Sequence, residues 1–353
     1  MNSTAEMVSN NNFFETINTL LSENKTFFCS RLPNSKRLTL SSGNTKKIPR
    51  SKIKGNGIFI MPFNEKNLGY KINPSFVYET KIEHKLNSNK NSLISLKEFI
   101  KNEDKESYKL SIEKLIEEIR LGKLSKIVFS KKITLDYSDS NQITIFKNIL
   151  DLYSEAFCYL FYTPNEGFWM GASPELLFKT EEDSISTMAL AGTKFNINSD
   201  WGDKEYSEQQ IVQDEILESL KPLCSSVAIG KTQTISAGKI QHLKTDFKGT
   251  TRASTIRLVN ALFPTSAVAG YPRKAALKLL SKHEEHERSL YSGFLGTCKD
   301  DYSYLFVNLR CLNFKNDKIS LYVGSGITKD SVPDNEWNEI LKKSETMLSA
   351  IFL

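Results

Sequence analysis

Apolar residues recur at helical spacing in several stretches of the chain. Phe13, Phe14, Ile17, Leu20 and Leu21 predict an amphipathic helix over 13–22. Ile112, Leu115, Ile116 and Ile119 mark a second helix face, and Gly122 is placed to end it. Val212, Ile216 and Leu220, each four apart, predict a long helix over 204–220, with another near 273–280. Pro333 opens a terminal helix running toward Ile351.

Strand patterns lie between these helices. A strand begins at Lys126-Ile127-Val128-Phe129-Ser130 and continues its apolar side through Ile133 and Leu135. Residues 157–162 and 168–171 read as a hairpin around Pro164-Asn165-Glu166-Gly167, and 176–180 as the next strand. Residues 302–314 read as one strand, turned at Asn316-Asp317 and answered by 319–323. Hairpins interleaved with single helices predict an α+β fold with antiparallel sheets. A stretch rich in Asn, Ser and Lys over 87–105 reads as a surface connection within one domain spanning 1–353. It separates an N-terminal part (1–105) from a denser catalytic part (106–353).

Composition narrows the class. The chain has 353 residues, 39% hydrophobic and 25% charged, the profile of a globular protein with a sizeable core. No apolar run approaches the roughly 20 residues that cross a bilayer. Met1 to Asn12 lacks the layout of a secretory leader, so a cytoplasmic location is expected. Cys29, Cys158, Cys224, Cys298 and Cys311 are odd in number and scattered, which excludes a zinc ribbon and disfavours a disulfide framework. The net charge of +6 is spread out; Lys46-Lys47 with Arg50-Ser51-Lys52 is the nearest thing to a basic patch and reads as a solvated loop. Neither nucleic acid, nor a membrane, nor an obligate protein partner is expected.

The residues suited to chemistry are then few. Glu336, Glu339 and Lys343 share one face of the terminal helix, where two carboxylates a turn apart suit a hard cation and a lysine suits an anion. Taken alone, a solvated face with Glu–Lys pairing explains that spacing as well. Glu208, on the long helix, and Glu175, after the hairpin in Gly171-Ala172-Ser173-Pro174-Glu175, are an acidic surface residue and a turn residue on the bland reading; Glu175 is also a candidate acid. Lys126 is a candidate base if desolvated, or an edge-strand guard. Arg310 shares the expected strand face with Phe306 and Tyr304, unusual company for a solvated arginine and fitting for a carboxylate clamp. In His283-Glu284-Glu285-His286 the histidines are three apart, the wrong spacing for a zinc helix. Gly324-Ser325-Gly326 is too short for a dinucleotide fingerprint but could form a turn whose amides approach a ligand.

The order of these blocks makes them specific. Ser125–Ser130, Gly171–Glu175, Ala189–Thr193, Lys204–Val212, His242–Thr245, Phe263–Gly270, Glu284–Gly296, Asn308–Arg310, Gly324–Ile327 and Glu336–Glu339 with Lys343 stand in one sequence. From about Leu110 to Leu353 the chain resembles the chorismate-utilising enzymes. That resemblance implies two antiparallel β-sheets packed as a sandwich with surrounding helices, and a pocket for chorismate and one Mg²⁺. It implies that Glu208 and Glu339 bind the metal directly and Glu336 through water. It further implies that Arg310 and Lys343 grip the substrate carboxylates, helped by backbone at Gly192, Thr193 and Gly324, with His242, Ala267 and Tyr291 lining the pocket. Lys126 and Ala191 together resemble the water-using branch, the isochorismate synthases, with Lys126 as base and Glu175 as acid. Salicylate synthases share these residues and stay open as an alternative. Gln209, Ser266, Ser325 and Ile340 depart from the family's usual histidine, proline, alanine and threonine.

Overall fold

The computed structural model describes residues 4–82, 102–138, 141–195, 198–237 and 240–353, so most of the connection expected over 87–105 lies outside the described residues. The chain runs through β1 (Glu6–Met7), α1 (Asn10–Ser22), β2 (Phe27–Arg31), β3 (Arg37–Ile48), β4 (Gly57–Met61) and β5 (Gly69–Lys81). There follow α2 (Asn102–Arg120), β6 (Lys126–Asp136), α3 (Gln142–Leu152), β7 (Phe157–Thr163), β8 (Gly167–Ser173), β9 (Leu176–Glu181) and β10 (Ser184–Lys194). Next are α4 (Asp203–Leu220), β11 (Cys224–Ile229), β12 (Gln233–Ala237), β13 (Ile240–Thr251) and α5 (Thr255–Leu262). The last are β14 (Gly270–Tyr271), α6 (Arg273–His283), β15 (Phe294–Cys298), β16 (Tyr302–Val307), β17 (Cys311–Lys315), β18 (Lys318–Ile327) and α7 (Pro333–Ile351).

The fold is α+β, and every ladder is antiparallel except the short β1–β5 pair. The expectation of two separate sheets needs correction: the strands join in one hydrogen-bonded network. One half runs β14-β6-β18-β17-β8-β7-β2; the other runs β4-β15-β16-β9-β10-β13. The long β3–β5 ladder belongs to both, because β3 pairs with β2 near one end while β5 pairs with β4 near the other. Its register shifts between Ser42 and Gly43, and a bulge there lets a strand pair turn a corner between two layers. A side chain at Gly43 would collide with the carbonyl of Asn73, so the corner requires glycine.

The two halves meet across a buried aromatic cluster. Phe28, Tyr159 and Trp169 come from one half, and Ile60, Leu295 and Phe306 from the other. The rings of Phe157 and Phe306 stack across this seam at 4.1 Å. A second core includes the apolar helix faces read from the sequence, with Phe13, Ile17, Ile112, Leu115, Val212 and Ile216 all buried.

Two local expectations also change. Residues 302–314 are not one strand: Asn308-Leu309-Arg310 interrupt it, and Arg310 has a φ of 48°. Arg310 therefore leaves the face of Phe306 and Tyr304. Gly324-Ser325-Gly326 forms no turn but lies inside β18, paired with Ser130, Phe129 and Val128 of β6. Lys46 and Lys47 are likewise strand residues of β3 rather than loop residues.

Candidate active site

The site lies where β6, β10, β13, β18 and α4 converge with α7. Ten of the thirteen residues singled out from the sequence line one cavity: Glu175, Gly192, Thr193, Glu208, His242, Ala267, Tyr291, Arg310, Gly324 and Lys343. The other three, Lys126, Glu336 and Glu339, are not among its lining residues.

Glu175 follows β8 and is 2% exposed. Among the described residues only Thr265 Oγ1, at 3.3 Å, donates to its carboxyl. Burial therefore dominates and pushes its pKa up to about 7, against the smaller pull of Thr265 and of the Lys126 charge. A carboxyl in this state holds its proton for much of the time at neutral pH.

Lys126 is fully buried at the start of β6, opposite Tyr271 of β14. Its Nζ lies 3.0 Å from Glu208 Oε1. The edge-strand reading fails, because β6 has β18 on one side and β14 on the other. Lys126 thus reaches the cavity through Glu208 instead of facing it. Burial opposes ionisation of Glu208, yet Lys126, Lys204 and Lys343 together hold its pKa below the ordinary value.

Each of the three acids is matched by its own lysine. Lys204 Nζ is 2.6 Å from Glu336 Oε1 and Lys343 Nζ is 2.5 Å from Glu339 Oε1, beside the Lys126–Glu208 pair. Glu336 is fully buried, and its Oε2 has no hydrogen-bond partner among the described residues. Burial first, and then repulsion by Glu339, raise its pKa. Among the described residues no three acids, histidines or cysteines are already gathered tightly enough to enclose an ion. The solvated Glu–Lys face considered for α7 does not describe Glu336, though Glu339 and Lys343 do pair at i, i+4.

Arg310 and Lys343 make part of the cavity lining cationic. His242 is buried, and burial, Arg310 and Lys343 lower its pKa to about 3, so the ring is neutral. Its Nδ1 lies 2.9 Å from the Gly192 carbonyl, which can only accept, so the proton sits on Nδ1. Nε2 is then free to accept from Arg310 Nη2 at 3.0 Å. Arg310 Nη1 also donates to Thr346 Oγ1 at 3.2 Å, and Lys343 Nζ to the Gly324 carbonyl at 3.0 Å. The guanidinium has no carboxylate among these partners, which leaves it able to receive an anion.

Glycines make room for these groups. Gly192, with a φ of 69°, sits at a bulge between Ala191 and Thr193. A Cβ on Gly324 would come within 2.9 Å of the Tyr291 hydroxyl, and one on Gly326 would collide with Glu208 Oε1.

Some contributors were not found from the sequence. Lys204 was read only as a helix residue, and Arg288 was not singled out. Arg288 donates to Glu284, at 2.6 Å for Nη2–Oε1, and to the carbonyls of Val128 and Val268. Glu284 also accepts from Ser130 N and Oγ, and His286 Nε2 lies 3.1 Å from that hydroxyl. The His-Glu-Glu-His run is thus a structural joint under β6. No periodicity marks Arg288, since its role comes from carbonyls distant along the chain.

The comparisons follow the same lines. Over 256 residues the chain is 30% identical to the isochorismate synthase MenF of Escherichia coli, covering 68% of this chain but only 59% of that enzyme. It is 27% identical over 270 residues to the isochorismate synthase DhbC of Bacillus subtilis, covering 70% and 68% of the two chains. In fold it is similar to the DhbC crystal structure from Bacillus anthracis, with a TM-score of 0.80 at 22% identity over 95% of this chain and 98% of that one. The Escherichia coli MenF structure aligns with a TM-score of 0.76 at 21% identity, over 92% and 88%. A model of the chorismate-binding enzymes matches residues 71–352, and the chain belongs to that family.

Proposed function

We propose that this protein is an isochorismate synthase, which adds water at ring carbon 2 of chorismate as the hydroxyl at carbon 4 leaves. The observation that carries the proposal is the pairing, in one cavity, of a buried acid, Glu175, with two cationic grips, Arg310 and Lys343. The similarity to isochorismate synthases supports the same reading.

Arg310 and Lys343 bind the substrate carboxylates and fix the ring against Glu175. Hydroxide is a poor leaving group, so Glu175 gives its proton to the departing oxygen. Water is a poor nucleophile at pH 7, so a base must take its proton, and we assign that role to Lys126, which reaches the site beside Glu208. Glu208 holds the Lys126 amine in place at 3.0 Å and shares its charge.

Glu208, Glu336 and Glu339 offer an all-oxygen donor set that fits a hard divalent cation, and the unpartnered, buried Glu336 Oε2 supports that fit. A Mg²⁺ held by them would neutralise a substrate carboxylate and orient it. The test is product analysis after chorismate and Mg²⁺ are added to the purified protein. Isochorismate without pyruvate is expected, with activity abolished by EDTA and restored by Mg²⁺. Pyruvate release would favour a salicylate synthase, and full activity after thorough chelation would remove the metal.

A further inference from the structure

Gln209 stands next to Glu208 on α4 and is 1% exposed. Its Oε1 accepts from Ala191 N at 2.8 Å, and its Nε2 donates to Ala189 O at 3.2 Å and to Thr245 Oγ1 at 3.1 Å. Among the described residues no second strand lies beside β10 at this point. Its pairing with β9 covers only Ser184 to Ser186, and α4 packs over the remainder. Accepting from residue 191 while donating to residue 189 is how a residue of a parallel strand would pair opposite Leu190. The Gln209 carboxamide thus stands in for a missing peptide unit.

The bulge begins at the next residue. Gly192 is the extra residue between Ala191, opposite Leu243, and Thr193, opposite His242. Its carbonyl fixes the Nδ1–H tautomer of His242, and that tautomer leaves Nε2 to accept from Arg310. From this chain of contacts we infer that Gln209 is a positioning residue: it pins the bulge, and through Gly192 and His242 it aims the Arg310 guanidinium into the cavity. The inference rests on the reading of Arg310 as a carboxylate grip. An amide supplies both the donor and the acceptor that the strand edge needs, whereas an apolar side chain of similar size supplies neither.

The test compares Gln209→Met, Gln209→His, Arg310→Lys and the Gln209→Met/Arg310→Lys pair in the full chain. Gln209→Met is expected to raise KM for chorismate about tenfold with kcat changed by less than about threefold. Gln209→His keeps one donor and one acceptor and should restore most of the affinity. The double variant should lose little more than Arg310→Lys alone, because both act on one contact. Independently of turnover, ¹⁵N-histidine NMR should show one Nδ1–H tautomer for His242 in the unmodified protein and a mixture in Gln209→Met. Unchanged KM with the tautomer intact, or additive losses in the double variant, would overturn the inference. An unmodified protein inactive on chorismate would sink the proposed function alone, and the tautomer measurement would still decide the role of Gln209. If Gln209→Met does not fold, Gln209→Glu, which keeps the size but loses the donor to Ala189 O, decides by the same tautomer measurement: a mixture supports the inference, and the single Nδ1–H form ends it.

Discussion

Glutamine at position 175 keeps the shape of the side chain and removes its proton. Moving a carboxyl from its ordinary 4.5 to about 7 means that ionising it inside the fold costs about 3 kcal/mol more than in the unfolded chain, at about 1.4 kcal/mol per tenfold. The folded state therefore holds a proton that the unfolded chain releases between about pH 4.5 and 7. This contribution to stability is complete below pH 4.5, shrinks as pH rises, and is gone above the folded value. In Glu175→Gln the side chain is neutral throughout, so the slope disappears. Urea unfolding at a series of pH values should show the unmodified protein losing about 3 kcal/mol relative to Glu175→Gln between pH 4 and 8. Turnover should move with it: kcat of the unmodified enzyme falls as pH rises through about 7, and Glu175→Gln lowers kcat by about 10²- to 10⁴-fold without that limb. A stability difference that is flat with pH would refute the burial argument. Near-normal turnover would refute the role as acid.

Other perturbations test the neighbouring groups. Lys126→Ala should lower kcat by about 10²- to 10⁴-fold in a protein that still folds, and steady-state assays showing ordinary turnover would remove it as the base. Gly326→Ala drives a methyl into Glu208 and should raise the Mg²⁺ concentration for half-maximal activity by about tenfold, read by metal titration; an unchanged requirement would separate Glu208 from the metal. Arg288→Met leaves the Glu284 carboxylate buried without its partner and should cost about 3–5 kcal/mol in urea unfolding, with part of the loss recovered by adding Glu284→Leu.

Helices α1, α2, α4, α6 and α7 were legible because each buries one stripe, whereas α3 and α5 were missed. Ile112, Leu115, Ile116 and Ile119 are all buried, and Gly122 stops α2 with a φ of 75°, as its place after the last apolar residue predicts. The turn at Asn316-Asp317 was equally plain, since both residues take positive φ between paired strands. The strands β3, β5 and β11 were not legible. They are rich in Thr, Lys and Ser, and β11 buries no residue fully, so an apolar alternation hardly exists to be read. Arg310 was placed on the wrong face because a strand pattern cannot show a single residue in the left-handed region.

Residue type and order along the chain determined which family this is and which side chains are chemically able to act. They supplied an amine, a buried-capable acid, three further carboxylates and two cations in a recognisable succession. Tertiary structure alone decided how those groups behave. The protonation of Glu175, the neutral His242 ring, and the pairing of each acid with its own lysine all depend on desolvation and on short distances. Those distances link residues far apart in sequence, and local spacing carries no information about them.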